Sequence, residues 1–189
     1  MRKSIAGIAL VLISTSVRAE LYEIKREAEG PFKFKLFGVE LNEGSSLQRE
    51  SVLFNDPSCP VQITRNRMVF AYADRRMTLS AATQLTMRQP IMAMEVRHIL
   101  FDVFGQHMRN FSNLEARDFQ AVPANLSGTW NIFDENDASE LLTTVTYIAR
   151  VRFVDGTQWV VNSDNLSQAL GSLHLERKIE DENPPKEAP

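Results

Sequence analysis

Residues 150–161 read Arg150-Val151-Arg152-Phe153-Val154-Asp155-Gly156-Thr157-Gln158-Trp159-Val160-Val161. Two runs of β-forming residues surround an Asp-Gly pair, which is the strongest short-range signal for a β-hairpin. Two registers fit this turn and send Trp159 to opposite faces, because a slip of one residue exchanges the faces of a strand. The register therefore decides whether Trp159 is a core residue or an exposed aromatic platform.

A two-residue loop places Trp159 opposite Arg152, on a polar face. A three-residue loop with Gly156 in a bulge pairs Phe153 with Thr157 and places Trp159 opposite Val151. This second register gathers the apolar side chains on one face, namely Ala149, Val151, Phe153, Trp159 and Val161. The other face then carries Arg150, Arg152 and Gln158. We predict the second register, with Trp159 in the core, because burial of an aromatic side chain contributes strongly to stability.

A second hairpin is predicted over residues 98–111, with Gly105 at the first position of a type II′ turn. This register pairs Asp102 with Arg109 and Leu100 with Phe111, so an ionic pair and an apolar pair align together. It also separates His98 from His107 by roughly 13 Å along the sheet. The spacing therefore argues against a metal site shared by these two histidines.

Further β-rich runs are separated by turn residues at 52–55, 61–64, 68–73, 77–82, 91–104, 107–114, 129–133, 141–154 and 157–161. Many short strands without long helices between them predict an all-β fold, namely an antiparallel β-sandwich. One short helix is predicted near the C-terminus, capped by Ser163 or Asp164 and ended by Gly171. Its apolar side carries Leu166, Ala169 and Leu170.

The N-terminal 19 residues have the pattern of a cleaved signal peptide: a basic start, an apolar run and a small-residue cleavage site ending at Ala19. The leader contains three basic residues and no acidic ones, so its removal moves the net charge from −3 to −6. This balance argues against nucleic acid as a partner, because phosphates favour basic surfaces. The apolar run is also too short to span a bilayer, so we expect a periplasmic or secreted protein that does not cross the membrane after cleavage.

Residues 20–50 are interpreted as an N-terminal arm and connector, residues 51–175 as the sandwich domain, and residues 176–189 as a disordered charged tail. In the arm, the alternation of Phe32, Phe34 and Leu36 with lysines predicts a strand with one wet face, broken by residues 43–46. This strand either adds to the edge of its own sheet or pairs with another chain. Phe32, Phe34 and Leu36 are therefore candidate binding residues.

Catalytic motifs are missing from the sequence. It has three histidines, in neither a His-Glu-x-x-His nor another clustered pattern, and no Gly-x-Ser-x-Gly elbow. The acidic loop 134–140 lacks the spacing of an EF-hand. Cys59, the only cysteine, forms no internal disulfide, and a structural thiol, a reactive thiol and an intermolecular disulfide remain as its possible roles. We expect no catalytic residue, no metal site and no cofactor.

The stretch 145–159, with the runs 101–105 and 55–60, resembles uncharacterised bacterial exported proteins that have an immunoglobulin-like sandwich. The resemblance covers the main domain and brings no catalytic residues with it. The alternation in the arm and the missing catalytic motifs lead us to expect a non-catalytic module that mediates protein-protein interaction in the cell envelope through a sheet edge or loops. An alternative is binding of a carbohydrate or envelope polymer through Trp130 and adjacent loops, and a further one is a hydrolase whose site is dispersed in sequence.

Overall fold

The structure is a computed structural model that describes residues 23–27, 46–48, 50–73, 76–120, 123–133 and 140–176. Within these residues the chain is mostly β, as predicted. The strands are β1 (Glu23–Glu27), β2 (Ser46–Gln48), β3 (Glu50–Asn55), β4 (Val61–Ala73), β5 (Arg76–Met87), β6 (Ile91–Asp102), β7 (His107–Phe119), β8 (Ala124–Phe133), β9 (Leu141–Phe153) and β10 (Gln158–Val160). A short helix, α1 (Ser163–Ser172), follows the last strand.

The strands form two sheets that pack face to face. The first sheet has the order β1-β3-β9-β6-β7, with β10 also paired to β9, and the second has the order β2-β4-β5-β8. The pairs between described strands are antiparallel except β3 with β9, which is parallel. Apolar side chains from both sheets meet in a shared buried core that includes Leu53, Ile63, Leu85, Met94 and Val151.

The predicted register of the Asp155-Gly156 hairpin is confirmed. Trp159 lies opposite Val151, and the Phe153 N–H donates to the Thr157 carbonyl at 2.9 Å. Gly156 has a φ of +86°, which closes the three-residue loop. Trp159 packs against the core between the sheets and remains partly exposed.

The prediction of one common apolar face was wrong at Ala149 and Val161. Glu95 lies opposite Arg150 and Val96 lies opposite Ile148, so Ala149 is an extra residue in β9. Such a bulge reverses the facing of the residues beyond it. Ala149 therefore points away from the second sheet and packs with Val161 in another apolar cluster.

The predicted register of the second hairpin was also wrong. Leu100 lies opposite Arg109, and His98 lies opposite Phe111. Asp102 does not pair with Arg109, because its Oδ1 accepts the N–H groups of Phe104 and Gln106, both at 2.8 Å. Gly105, at φ +81°, takes the third loop position and not the first. The side-chain hydrogen bonds of Asp102 thus favour a three-residue loop over the two-residue type II′ turn.

The predicted bend at residues 55–60 is confirmed and carries the chain from the first sheet to the second. The Cys59 N–H donates to the Asp56 carbonyl at 2.9 Å, and the Ser58 N–H donates to Asp56 Oδ1 at 2.8 Å. Asn55 extends the strand pairing with its side chain, which exchanges two hydrogen bonds with the Ile63 backbone.

The predicted helix is present, but both of its ends differ from expectation. Asn162 is the cap, since its side chain accepts the N–H groups of Asp164 and Asn165. Gly171 lies inside the last turn, and His174 takes the left-handed conformation that follows the helix, at φ +57°. Leu166, Ala169 and Leu170 are buried, as predicted. They cover the part of the first sheet that carries Phe54, Ile99, Phe101, Val145 and Tyr147.

Two strands occur within the stretch interpreted as an arm. β1 pairs with β3 at one edge of the first sheet. β2 pairs with β4 and begins at Ser46, where a break was predicted. The predicted strand at 31–37 lies outside the described residues, as do the leader 1–19 and the tail beyond Glu176. The division of the chain into arm, domain and tail stays a prediction.

Candidate functional site

The outer face of the first sheet is only partly covered by α1. Among the residues that the structure describes, the part that α1 leaves uncovered lies on β6, β7, β9 and β10, beyond the cluster that packs against the helix. We call this surface the outer-face site. It consists of Ala93, Glu95, Arg97, Leu114, Arg150, Arg152, Gln158 and Val160.

Strand pairing arranges these side chains in rows across the sheet. One row runs from Leu114 through Glu95 and Arg150 to Val160. The next row contains Ala93, Arg152 and Gln158. Residues directly opposite one another share a face, so each row presents its side chains together.

The centre of the site is a buried carboxylate between two guanidinium groups. Glu95 is 4% exposed. Its Oε1 lies 2.7 Å from Arg97 Nε, and its Oε2 lies 2.5 Å from Arg150 Nε. Burial is the largest influence on Arg97 and acts against its charge, but the hydrogen bond and charge attraction of Glu95, together with Tyr147, outweigh it, so the pKa of Arg97 is raised. One buried carboxylate thus holds two arginines in fixed positions.

The site carries excess positive charge and two exposed apolar ends. Arg152 is exposed and has no ion pair or hydrogen bond with the described part of the chain. Three arginines and one glutamate leave a local charge of about +2 at neutral pH. Leu114 is 61% exposed and Val160 is 64% exposed. A depression of about 170 Å³ lies between Leu114, Arg150, Arg152 and Gln158.

A second depression, of about 590 Å³, lies at the end of the sheets where the loops after β5, β7 and β9 meet. Its charged residues are Asp118 and Asp155. Asp155 Oδ1 accepts both the N–H and the hydroxyl of Thr157, at 2.9 and 2.6 Å, and these hydrogen bonds lower the pKa of Asp155. The side chain of Asp155 therefore stabilises its own turn.

His98 belongs to a buried polar network between the two sheets. Its Nδ1 lies 2.9 Å from Thr146 Oγ1, which also accepts the side-chain amide of Asn66 at 2.9 Å. Asn66 donates to Ser51 Oγ at 3.1 Å and accepts from Thr83 at 2.7 Å. Burial lowers the pKa of His98 to about 3, so the ring is neutral at physiological pH.

This network does not have the form of a hydrolase site. His98 is 1% exposed and Thr146 is fully buried, so a substrate cannot reach the pair. A histidine with such a low pKa is also a poor general base near neutral pH. The network instead satisfies polar groups in the core and fixes the alignment of the two sheets.

Trp130 is packed within the protein and only partly exposed. Its ring stacks on that of Phe111, with 5.2 Å between the ring centroids and an interplanar angle of 18°. The His98 ring packs against it at an angle of 67°, with 5.3 Å between the centroids. Gly128 lies beneath the ring, where an added Cβ would be 2.7 Å from the indole. A sugar-binding aromatic needs a free face, so this packing weakens the alternative of carbohydrate binding through Trp130.

The other candidate residues do not converge. Cys59 is 1% exposed, and burial raises the pKa of its thiol to about 12, which is typical of a structural thiol. His107 Nε2 lies 2.9 Å from Asn110 Oδ1, and His174 is exposed after the helix. Phe32, Phe34, Leu36 and the loop 134–139 lie outside the described residues. Among the residues that are described, no three His, Cys, Asp or Glu side chains are grouped to hold a metal ion.

Comparison with known proteins does not place this chain in a family. No protein-family model and no curated protein matches the chain. One solved structure, a hypothetical protein from Peptoclostridium difficile 630, is similar with a TM-score of 0.41 and 13% identity, covering 62% of this chain and 92% of that one. These values are too low to indicate a shared fold or function.

Only one part of the outer-face site is predictable from the sequence. Arg150, Arg152 and Gln158 are expected on one polar face, because they alternate with apolar residues in a single hairpin. Glu95 and Leu114 were missed, since they lie on strands far away in sequence. The signal available in the sequence was Glu95 itself, a charged residue inside the otherwise apolar stretch 91–96.

Proposed function

We propose that this protein is an exported, non-catalytic module with an immunoglobulin-like sandwich, and that it binds a partner protein of the cell envelope through the outer-face site. Export is supported by the pattern of the leader, and the sandwich type by the resemblance of residues 145–159. The two packed sheets are compatible with that type. The outer-face site is a sheet face, whereas the sequence led us to expect binding through a sheet edge or loops.

The observation that carries this proposal is the pairing of apolar and charged groups on an uncovered sheet face. Leu114 and Val160 are each more than half exposed, at the two ends of the row that contains Glu95 and Arg150. Exposed aliphatic side chains around ordered arginines are typical of binding surfaces, because arginine is enriched there and lysine is depleted. The buried Glu95 keeps the arginines ordered before a partner arrives, which reduces the entropy lost on binding.

Reporter fusions and site-specific crosslinking in cells test the two parts of the proposal. A fusion to an enzyme that is active only outside the cytoplasm is expected to lose activity when residues 1–19 are deleted. A photo-crosslinking amino acid in place of Leu114 or Val160 is expected to give a discrete protein adduct. The matched control is Phe104, which is 83% exposed in the loop that follows the opposite end of β6.

Adducts at 114 and 160 that disappear when Arg150 is replaced by glutamate support the outer-face site. Equal adducts at 104, or none at 114 and 160, contradict it. Retained reporter activity without the leader contradicts export.

In the part of the chain that the structure describes, α1 spans ten residues, and no helix there has the length and apolar character needed to cross a membrane.

A further inference from the structure

We infer that the outer-face site recognises an extended acidic segment of a partner protein, with an apolar residue two positions before and two positions after the acidic one. This inference rests on the proposed function and specifies the chemistry of its partner. It follows from three properties of the site: its charge, its spacing and the position of Arg152.

The charge of the site selects an anionic group. Glu95 neutralises one of the three arginines, and it does so while buried, so the remaining positive charge is presented at the surface. The Nε atom of Arg150 forms the ion pair with Glu95, and the Arg150 side chain is still 41% exposed. Arg152 has no partner within the described residues and lies one row away, beside the same depression. A carboxylate placed there receives charge-assisted hydrogen bonds from two guanidinium groups.

The spacing of the site selects an extended segment. Leu114 and Val160 are on β7 and β10, which are separated by β6 and β9. Three strand spacings correspond to about 14 Å across the sheet. An extended peptide covers a similar distance, about 13 Å, in four residues, and its side chains i, i+2 and i+4 point to one face. Apolar residues at i and i+4 thus reach Val160 and Leu114 while the residue at i+2 reaches the arginines.

The floor of the site allows such a segment to approach. Ala93, in the row beside Glu95, is small and leaves the depression of about 170 Å³ open between the longer side chains. This volume accommodates roughly one side chain of intermediate size, which excludes a large ring system. An aspartate or glutamate side chain with part of its backbone fits the space.

Peptide binding to the purified chain of residues 20–189 tests the inference. The probe is the capped peptide Gly-Val-Thr-Glu-Thr-Leu-Gly with an N-terminal fluorophore, measured by fluorescence anisotropy. One control peptide has glutamine in place of glutamate. A second control, Gly-Val-Thr-Thr-Glu-Leu-Gly, has the same composition with the acid moved by one position, so that it points to the other face.

We expect the probe to bind at least about tenfold more tightly than either control, because each lost charge-assisted hydrogen bond weakens binding by about this factor. Arg152→Gln and Leu114→Ser are each expected to weaken probe binding by a similar factor. The matched control is Arg117→Gln, which removes the same charge from β7 at a residue that lies over the Phe119 ring, toward the core between the sheets. It is expected to leave binding unchanged.

Equal binding of the three peptides overturns the inference. So does a loss of probe binding in Arg117→Gln that equals the loss in Arg152→Gln. Binding of an oligogalacturonate that depends on Arg152 and not on Leu114 also overturns it in favour of an acidic sugar. Failure of the peptides together with discrete adducts at positions 114 and 160 contradicts the acidic motif and leaves the proposed function standing. Absence of both contradicts the proposed function itself.

Discussion

Trp159 donates its indole N–H to the hydroxyl of Ser58 at 3.0 Å and so ties the β9–β10 hairpin to the corner between β3 and β4. The same hydroxyl donates to Asp56 Oδ1 at 2.6 Å. A residue near the C-terminal end of the domain thus helps to fix the bend that leads from one sheet to the other.

Replacement of Ser58 by alanine is expected to lower the free energy of unfolding by about 1–2 kcal/mol, because it removes two hydrogen bonds, the one donated to Asp56 and the one accepted from the indole N–H of Trp159. Equilibrium denaturation in urea, followed by tryptophan fluorescence, measures the loss. The control is Ser167→Ala on the exposed side of α1. Equal stability of the two variants would show that water replaces the Ser58 hydroxyl at no cost.

Replacement of Gly128 by alanine is expected to destabilise the protein by about 1–3 kcal/mol, which is the usual cost of overpacking. The new Cβ would lie 2.7 Å from Trp130 Cη2, so the indole must move off Phe111 and the fluorescence spectrum must change. Gly171→Ala is the matched control, because a Cβ there meets nothing within 4 Å. That change is expected to stabilise the helix by roughly 0.5–1 kcal/mol. An unchanged spectrum in Gly128→Ala contradicts the stacking geometry.

Stability is expected to fall as the pH is lowered below about 6.5 because His98 stays neutral in the folded protein. Its pKa is about 3 when folded, so in this pH range the unfolded chain binds a proton that the folded chain does not. The contribution of His98 approaches about 1.4 kcal/mol for each pH unit between these values. Thr146 and Trp130, which contact the ring, carry no charge and do not offset it.

The measurement is the free energy of unfolding from pH 7 to pH 4 for the wild-type protein and for His98→Gln. The slope is expected to be shallower in the variant than in the wild-type protein. Should His98→Gln fail to fold, the ring protons of wild-type His98 can be followed by NMR. A midpoint near pH 6 in that titration would contradict the buried network.

Gly105 and Gly156 both have left-handed backbone angles in three-residue loops, but their surroundings differ. A Cβ at Gly105 would lie 2.6 Å from the His174 carbonyl oxygen, whereas a Cβ at Gly156 meets nothing within 4 Å. Alanine at 156 is therefore expected to cost only the conformational strain, about 1 kcal/mol. Alanine at 105 has the same conformational strain and must also displace the segment after α1. The Glu176 N–H of that segment donates to the Gly105 carbonyl at 2.9 Å.

Thermal unfolding of the two alanine variants compares these costs directly. The Gly105 variant is expected to unfold at the lower temperature. The reverse order would show that the contact between the β6–β7 loop and the residues after α1 contributes little to stability.

The sequence was informative where a structure depends on neighbouring residues. The Asp155-Gly156 register was predicted correctly because alternation along one hairpin selects it. The register of the β6–β7 hairpin was predicted incorrectly, because hydrogen bonds to the Asp102 side chain determine the length of that loop. The outer-face site and the His98 network depend on strand order, because Asn66 and Thr146 meet across 80 residues of sequence. The pattern of a single segment contains no information about such pairs.

The parallel pairing of β3 with β9 also sets the order in which this chain can fold. Val52 lies beside Val145, and the Thr143 hydroxyl reaches Glu50 at 2.7 Å across 93 residues. Hairpins such as β4–β5 and β6–β7 close short loops and can form early, whereas β3 must wait for a strand near the other end of the chain. Until β9 forms, the β3 residues Val52, Leu53 and Phe54 lack the strand that pairs with them in the centre of the sheet. We therefore expect aggregation during folding to involve the unpaired edge of β3.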